Sequence, residues 1–335
     1  MIQLLITRES AKVYFVTEES FVDKVENELE PYIEVTKVDF VKTNEWTVYS
    51  NDYENRIDDL HNLFIETRDE EPDSRIWYKK GCKHFIIEQE EVAWQIMNSI
   101  RMIRNLLRWQ LYCSGYCYIH GGLTNVNGTG IAFVGGKKSG KTSSILSFLS
   151  IKDVNYVTND DLTVCMDGSM KSLGWPRAIG IRKDTCDYIE SLQKLVENAY
   201  TESAHPANIF MYNNKQREYT TLYFRPKEMC QAYGKKISNS TCLKYIIFPS
   251  FTDQDEVSLE QLSKEEAIKL LKKNIEAKPD KHYYFLSDFF QVPMLCEVED
   301  FITTIIEKEM VICYRLKQNI RLLSEASKMV RALVD

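Results

Sequence analysis

Ile131-Ala-Phe-Val-Gly-Gly-Lys-Lys-Ser-Gly-Lys-Thr-Ser-Ser-Ile-Leu-Ser-Phe-Leu149 is the stretch that decides how the rest of the chain is read. Gly135, four further residues and then Gly140-Lys141-Thr142 match the phosphate-binding loop (Walker A) pattern G-x-x-x-x-G-K-[ST]. Such a match acquires meaning from its flanks. The apolar run Ile131 to Val134 has the length of a buried strand, and Ile145, Leu146, Phe148 and Leu149 recur at helical spacing. Strand, glycine loop and helix therefore come in the order a phosphate cradle needs. In that order the backbone N–H groups of residues 136 to 141 point into the loop, and the helix N-terminus adds partial positive charge. The predicted nucleotide-binding residues are Gly135, Gly136, Lys137, Lys138, Ser139, Gly140, Lys141, Thr142 and Ser143. Lys141 is expected to reach the β- and γ-phosphates, and the Thr142 hydroxyl to ligate Mg²⁺. The competing reading, a surface turn rich in Gly, Ser and Lys, does not account for both flanks.

The neighbouring segments add chemistry to the cradle. Downstream, Val154 to Val157 reads as a buried strand that ends in Thr158-Asn159-Asp160-Asp161 before the chain resumes as Leu162 to Met166. Two carboxylates at a strand end just after a phosphate loop suit a Mg²⁺-nucleotide site. One can hold the metal while the other takes a proton from an attacking group. Upstream, Tyr116-Cys-Tyr-Ile-His-Gly-Gly-Leu-Thr124 is strand-like, and Asn127-Gly128 is a hairpin turn leading into the loop strand. Two strands joined so tightly are expected to be antiparallel neighbours. Arg177 and Arg182 are candidates for neutralising a transferred phosphate or for surface ion pairs, and the sequence does not choose between these roles.

The whole chain limits the setting. Its 335 residues suggest about two domains. A 44% apolar and 27% charged composition is that of a globular protein, and a net charge of −7 disfavours general binding to nucleic acid or to an anionic membrane. No apolar run has the length of a membrane span, and Met1-Ile-Gln-Leu-Leu-Ile-Thr-Arg8 lacks the basic start and long apolar core of a signal peptide, so a cytoplasmic location is expected. The nine cysteines are scattered. Cys113 and Cys117 are the only close pair, and they are read as reduced thiols rather than zinc ligands.

The rest of the chain reads as follows. Residues 1 to 88 form a small α+β domain with strands at Leu4 to Ile6, Val13 to Val16, Ile33 to Val41 and Trp46 to Tyr49. Between them runs a helix capped by Ser20 and ending before Pro31. Glu66 to Asp73 is a charged loop. Residues 89 to 335 form the second domain. It opens with a helix over 89–112 whose Ile96, Ile100, Ile103 and Leu107 make an apolar stripe, while Arg101, Arg104 and Arg108 lie on another, solvated face. Met166 to Gly168 is a hairpin turn, and 196–220 is an irregular segment. Tyr219 to Phe224, Leu243 to Phe248 and Val311 to Leu316 read as strands. A helix over Lys264 to Glu276 has a Ser263/Glu266 capping box, and Ile320 to Val334 is a closing helix.

Taken together, Ile119-His120-Gly121-Gly122, Asn127-Gly-Thr-Gly130, Gly135 to Thr142 and Val157-Thr-Asn-Asp160-Asp161 resemble, in this order, the HPr kinase/phosphorylase catalytic domain. They also resemble its wider family, which includes kinases acting on lasso-peptide precursors. The likeness covers residues 115 to 165, with Gly174-Trp-Pro176 and Tyr223-Phe-Arg-Pro226 extending it more weakly. The resemblance implies an α/β P-loop sheet sandwich related to phosphoenolpyruvate carboxykinase, preceded here by the small α+β domain. It implies Asp160 as the general base toward a serine hydroxyl, Asp161 as the metal-side carboxylate and His120 as a neighbour orienting the catalytic Asp. The cofactors implied are ATP and Mg²⁺, and the partner is a peptide or small-protein substrate, with the N-terminal domain a candidate for its recognition and a homo-oligomer admitted as an assembly. Two departures count against HPr itself, reverse phosphorolysis and a hexamer. The interval Thr163 to Arg182 lacks the signature Leu-Glu-Ile-Arg-Gly-Leu-Gly, and Ser143 stands where the bifunctional enzymes have an acidic group. A small-molecule kinase and a non-catalytic nucleotide-binding regulator are the rival readings.

Overall fold

The computed structural model describes residues 1–41, 44–50, 61–66, 71–201, 203–213, 221–276, 283–291 and 294–335, and the chain is mixed α/β. The elements begin with β1 (Ile2–Arg8), β2 (Ala11–Thr17), α1 (Glu19–Leu29), β3 (Glu34–Val38), β4 (Thr47–Ser50), β5 (His61–Ile65), β6 (Ser74–Tyr78), β7 (His84–Glu88) and α2 (Val92–Cys113). They continue with β8 (Tyr116–Ile119), β9 (Gly121–Val126), β10 (Thr129–Val134), α3 (Lys141–Phe148), β11 (Val154–Thr158), β12 (Leu162–Cys165), β13 (Lys171–Leu173), β14 (Ile179–Arg182), α4 (Lys183–Cys186), α5 (Gln193–Glu197) and α6 (Pro206–Asn213). The last are β15 (Thr221–Phe224), α7 (Pro226–Ala232), β16 (Ser240–Phe251), β17 (Ser258–Gln261), α8 (Lys264–Lys272), α9 (Leu295–Glu307), β18 (Ile312–Gln318) and α10 (Leu323–Arg331). Two compact units result. One holds Met1–Ser114 with Tyr200–Tyr219 and Lys278–Val292, and the other Gly115–Ala199 with Thr220–Ala277 and Pro293–Asp335.

The first unit is a seven-stranded sheet in the order β3-β1-β2-β4-β7-β6-β5. Helix α2 belongs to it, so the boundary expected after residue 88 falls after Ser114 instead. The apolar stripe Ile96, Ile100, Ile103 and Leu107 is buried, and two glutamines tie the helix to sheet backbone: Gln95 Nε2 donates to Ile87 O at 2.8 Å and Gln110 Nε2 to Lys12 O at 2.9 Å. The expected solvated arginine face is not one. Arg104 is buried, and Arg101 pairs with Glu71 while lying over the Trp94 ring. The cap of α1 is Glu18 rather than Ser20, which lies inside the first turn and donates its hydroxyl to the Glu18 carboxylate. The segment 196–220 is not wholly irregular, because Pro206 starts α6 at a position that needs no N–H donor. Residues 214–220 of that segment lie outside the described residues.

The second unit is built on β16. This long strand pairs in parallel with β10 and β18 and antiparallel with β13, so two arms of sheet share it. One arm runs β16-β10-β9-β11, and the other β16-β13-β12-β8. The expected antiparallel pairing of β9 with β10 across Asn127-Gly128 is present, as is that of β12 with β13 after Met166. The stretch read as one strand from Tyr116 to Thr124 is two. It breaks at His120, and β8 then pairs with β12 while β9 pairs with β10 and β11. Helix α3 lies on β9 where Gly122 leaves room. A β-carbon there would stand 2.3 Å from Ile145 Cδ1 and 3.0 Å from the Thr158 carbonyl.

Helix α8 has the expected cap, with Glu266 N donating to Ser263 Oγ at 3.3 Å, but it stops at Lys272 rather than Glu276. Edge strand β8 takes over the chain. Ile275 bridges Ile119, Glu276 N donates to Tyr118 O and Asn274 O accepts from His120 N. An unpaired strand edge offers donors and acceptors that a further turn of helix would leave unmet.

The closing helix α10 packs on α3, and Arg331 clamps Asp153 with Nη2 at 2.6 Å and Nε at 3.0 Å from Oδ2. These charge-assisted bonds hold the Asp153 carboxyl below its ordinary value of 3.8. Arg331→Ala is therefore expected to cost on the order of 1 kcal/mol at neutral pH, the upper end for a part-exposed ion pair. A carboxylate whose folded-state pKa is depressed contributes above its unfolded value and loses that contribution as pH falls through the folded one. Urea unfolding should thus separate wild type and variant at neutral pH, and the two should converge below the ordinary aspartate value.

Candidate functional site

The loop from Gly135 to Gly140 leaves the end of β10 and enters α3, and its closure depends on Gly140. That residue is the N-cap of α3 with φ 103, a left-handed conformation that side chains disfavour. It also has no space, since a β-carbon would lie 2.8 Å from Gln318 Nε2 and 3.1 Å from Phe251 Cε2. Gly136, in contrast, faces open surroundings. No side chain caps α3. Its first N–H groups, which have no partner within a helix, are left to face the loop and can take an anion there. Ser139 Oγ is buried without a hydrogen-bond partner and lies 2.7 Å from the place a Gly135 β-carbon would take. Lys137 and Lys138 are exposed, and Ser143 is buried in the first turn of α3.

Lys141 is the electrostatic centre. Its side chain turns back into the loop, where Nζ donates to Gly135 O at 2.7 Å and Gly136 O at 3.0 Å and meets His120 Nε2 at 3.2 Å. Only 6% of the residue is exposed, and burial lowers its pKa from the ordinary lysine value, opposed by the charges of Asp160 and Glu276. An ammonium group has donors only, so the lone pair of His120 must sit on Nε2 and its proton on Nδ1. Nδ1 then faces the Glu276 carboxylate at 3.3 Å. His120 thus bridges Lys141 and Glu276, two contacts that the resemblance does not specify. The break between β8 and β9 delivers it, since Gly121 pairs with Val134 at the root of the loop.

The strand end after β11 supplies the remaining polar groups. Thr142 Oγ1 donates to Asn159 Oδ1 at 3.4 Å, and Asn159 Nδ2 donates to Asp160 Oδ2 at 3.2 Å, which makes one chain of oxygen-bearing side chains from the helix start to Asp160. Asp160 has φ 61, a left-handed conformation that carries the chain through the bend between β11 and β12, and its side chain is part-exposed. Asp161 faces the other way in exposure. It is buried, and Oδ1 accepts from Arg177 Nη1 at 3.2 Å. Of the two arginines, Arg177 therefore stands at the acidic pair, while Arg182 ends β14 in a separate two-stranded sheet.

Two members were not foreseen. Glu276 was read as the end of a helix, and nothing near it in sequence points to His120. Asn159 joins the Thr142 hydroxyl to the Asp160 carboxylate, and a carboxamide at a buried strand end between such groups is a signal in itself. The cysteine pair takes no part. Cys113 Sγ donates to Gln291 O, and burial pushes the Cys117 thiol up to about 12.

Gly140→Ala is expected to destabilise the chain by about 1–3 kcal/mol, the cost of a left-handed non-glycine position made worse by contact. Gly136→Ala should stay within about 0.5 kcal/mol of wild type, and urea unfolding of the two variants compares them directly. Compared with known proteins, the chain matches no family model and no curated protein.

Proposed function

We propose that this chain is an ATP- and Mg²⁺-dependent kinase that transfers the γ-phosphoryl group to a hydroxyl, the narrower reading being a serine of a peptide or small protein. The observation that carries the proposal is a buried lysine turned into a glycine loop together with a carboxylate, Asp160, tied through Asn159 to Thr142 at the start of the loop helix. A phosphate-holding loop has use for the lysine alone. A part-exposed carboxylate beside it has use when a proton must be removed.

The loop supports the binding half. The uncapped start of α3 and the buried Ser139 hydroxyl offer donors, and a polyphosphate would offer Lys141 charged acceptors in place of the two loop carbonyls it now uses. The residues fit a magnesium ion, since the Thr142 hydroxyl and the Asn159 carboxamide oxygen lie together as hard oxygen donors beside the loop. Magnesium takes few protein ligands and completes its shell with phosphate and water. It therefore has no need of a cluster of three or more His, Cys, Asp or Glu side chains, of which the described residues hold none. When bound, the ion would supply charge neutralisation between the phosphates.

The transfer half falls to Asp160. The acceptor oxygen forms a bond to the γ-phosphorus, its proton passes to the Asp160 carboxylate and the bond from the γ-phosphorus to the bridging oxygen breaks, releasing ADP. His120, held by Glu276, fixes the position of Lys141 rather than exchanging the proton itself. Asp161 with Arg177 anchors the bend that presents Asp160, and the resemblance makes Asp161 a metal-side carboxylate as well. The first unit is proposed as the place where the acceptor is recognised. Among the described residues no helix is long and apolar enough to cross a membrane.

Incubation with Mg²⁺, ATP and candidate peptides, followed by mass spectrometry, should show a gain of one phosphate on a serine. Asp160→Asn is expected to lower turnover by about 10²–10⁴-fold while nucleotide affinity is kept. Lys141→Ala should weaken both affinity and turnover. Unchanged turnover in Asp160→Asn would remove the base from this account.

A further inference from the structure

We infer that Phe251 is the stacking platform for the nucleobase of the donor, so that the loop serves a nucleotide rather than bare polyphosphate. The inference rests on the nucleotide reading above and names the subsite that reading leaves open. A single exposed aromatic residue is ordinary, and the argument comes from where this one stands. Phe251 ends β16 with 43% of its surface exposed, and its ring lies against the loop backbone, 3.1 Å from the place a Gly140 β-carbon would take.

The sheet sets the direction. Strand β10, which feeds the loop, lies between β9 and β16. On the β9 side, with β11 beyond it, are His120 and Asp160, the groups that would act on the terminal phosphate. On the β16 side, Phe133 of β10 is level with Ile247, and β16 runs on past that level to Phe251, paired there with Gln318 of β18. The extension forms a wall beside the loop on the flank away from the reacting end. A chain of phosphates with its terminal group toward Asp160 leaves its other end, the nucleoside, toward this wall.

The wall is built to hold its shape. Thr252 N donates to Gln318 O at 3.0 Å, Asn319 Nδ2 donates to Gln254 O at 3.2 Å, and the buried Gln318 donates through Nε2 to Ser144 Oγ of α3 at 2.8 Å. The strand end that carries the ring is therefore tied to the sheet, and its paired neighbour Gln318 to the loop helix, before a ligand arrives, which limits the cost of ordering a platform. An aromatic face accepts any base, and its contribution comes from stacking rather than from reading the base edge.

Calorimetric titration of the full chain with Mg²⁺-ATP and with Mg²⁺-tripolyphosphate tests this. Wild type should bind ATP more tightly than tripolyphosphate. Phe251→Ala should lose about tenfold on ATP, within the range known for base stacking, and little on tripolyphosphate, which also reports an intact loop. Phe251→Trp should restore the ATP affinity. Unchanged ATP affinity in Phe251→Ala, an equal loss on both probes, or a wild type that binds both probes equally would overturn the platform and leave the nucleotide reading standing. A wild type that binds neither probe would overturn both.

Discussion

A buried ammonium group has to be given acceptors, and much of the second unit can be understood as the means of giving them to Lys141. Its three hydrogens find two carbonyls of its own loop and one imidazole nitrogen. The carbonyls are available because the loop curls through Gly140 in a conformation and a space that only glycine satisfies. The imidazole is available because the strand before the loop breaks at His120 and leaves its ring at the loop root. Its tautomer then follows from the lysine, and its other nitrogen requires an acceptor, which Glu276 supplies.

This requirement explains the division of labour in the sheet. The β9 and β11 side carries His120 and the acidic bend at Asp160 and Asp161, and the β16 and β18 side carries Phe251 and a buried glutamine fixed to α3. Strand β10 joins the two sides, and the loop leaves its end. The burial that lowers the proton affinity of Lys141 is opposed by Asp160 and Glu276, so the site balances a desolvated cation against two carboxylates rather than pairing it with one. Such a centre is poised to exchange weak neutral acceptors for charged ones, as the arrival of phosphate would require.

Much of this was legible in the residues. Strand, glycine loop and helix, the hairpin before them, the acidic bend after them and the capped helix at Ser263 were all readable from local pattern, because each depends on interactions within a few residues. The misreadings have one cause, which is that a distant partner won over local preference. The helix through Glu276 stopped early because an open strand edge took its last residues. Arg101 on the expected solvated face of α2 is drawn to Glu71, thirty residues away.

The sequence by itself determined that the chain is α/β and that Gly135 to Thr142 lies between a strand and a helix, since hydrophobic period and glycine spacing are properties of neighbouring residues. Only the tertiary structure decided that His120 meets Lys141, that Glu276 stands behind it and that Asp161 turns in to Arg177. It also decided that Phe251 lies against the loop. Those contacts join residues far apart in the chain, and their partners are chosen by strand order and register, which no local pattern encodes.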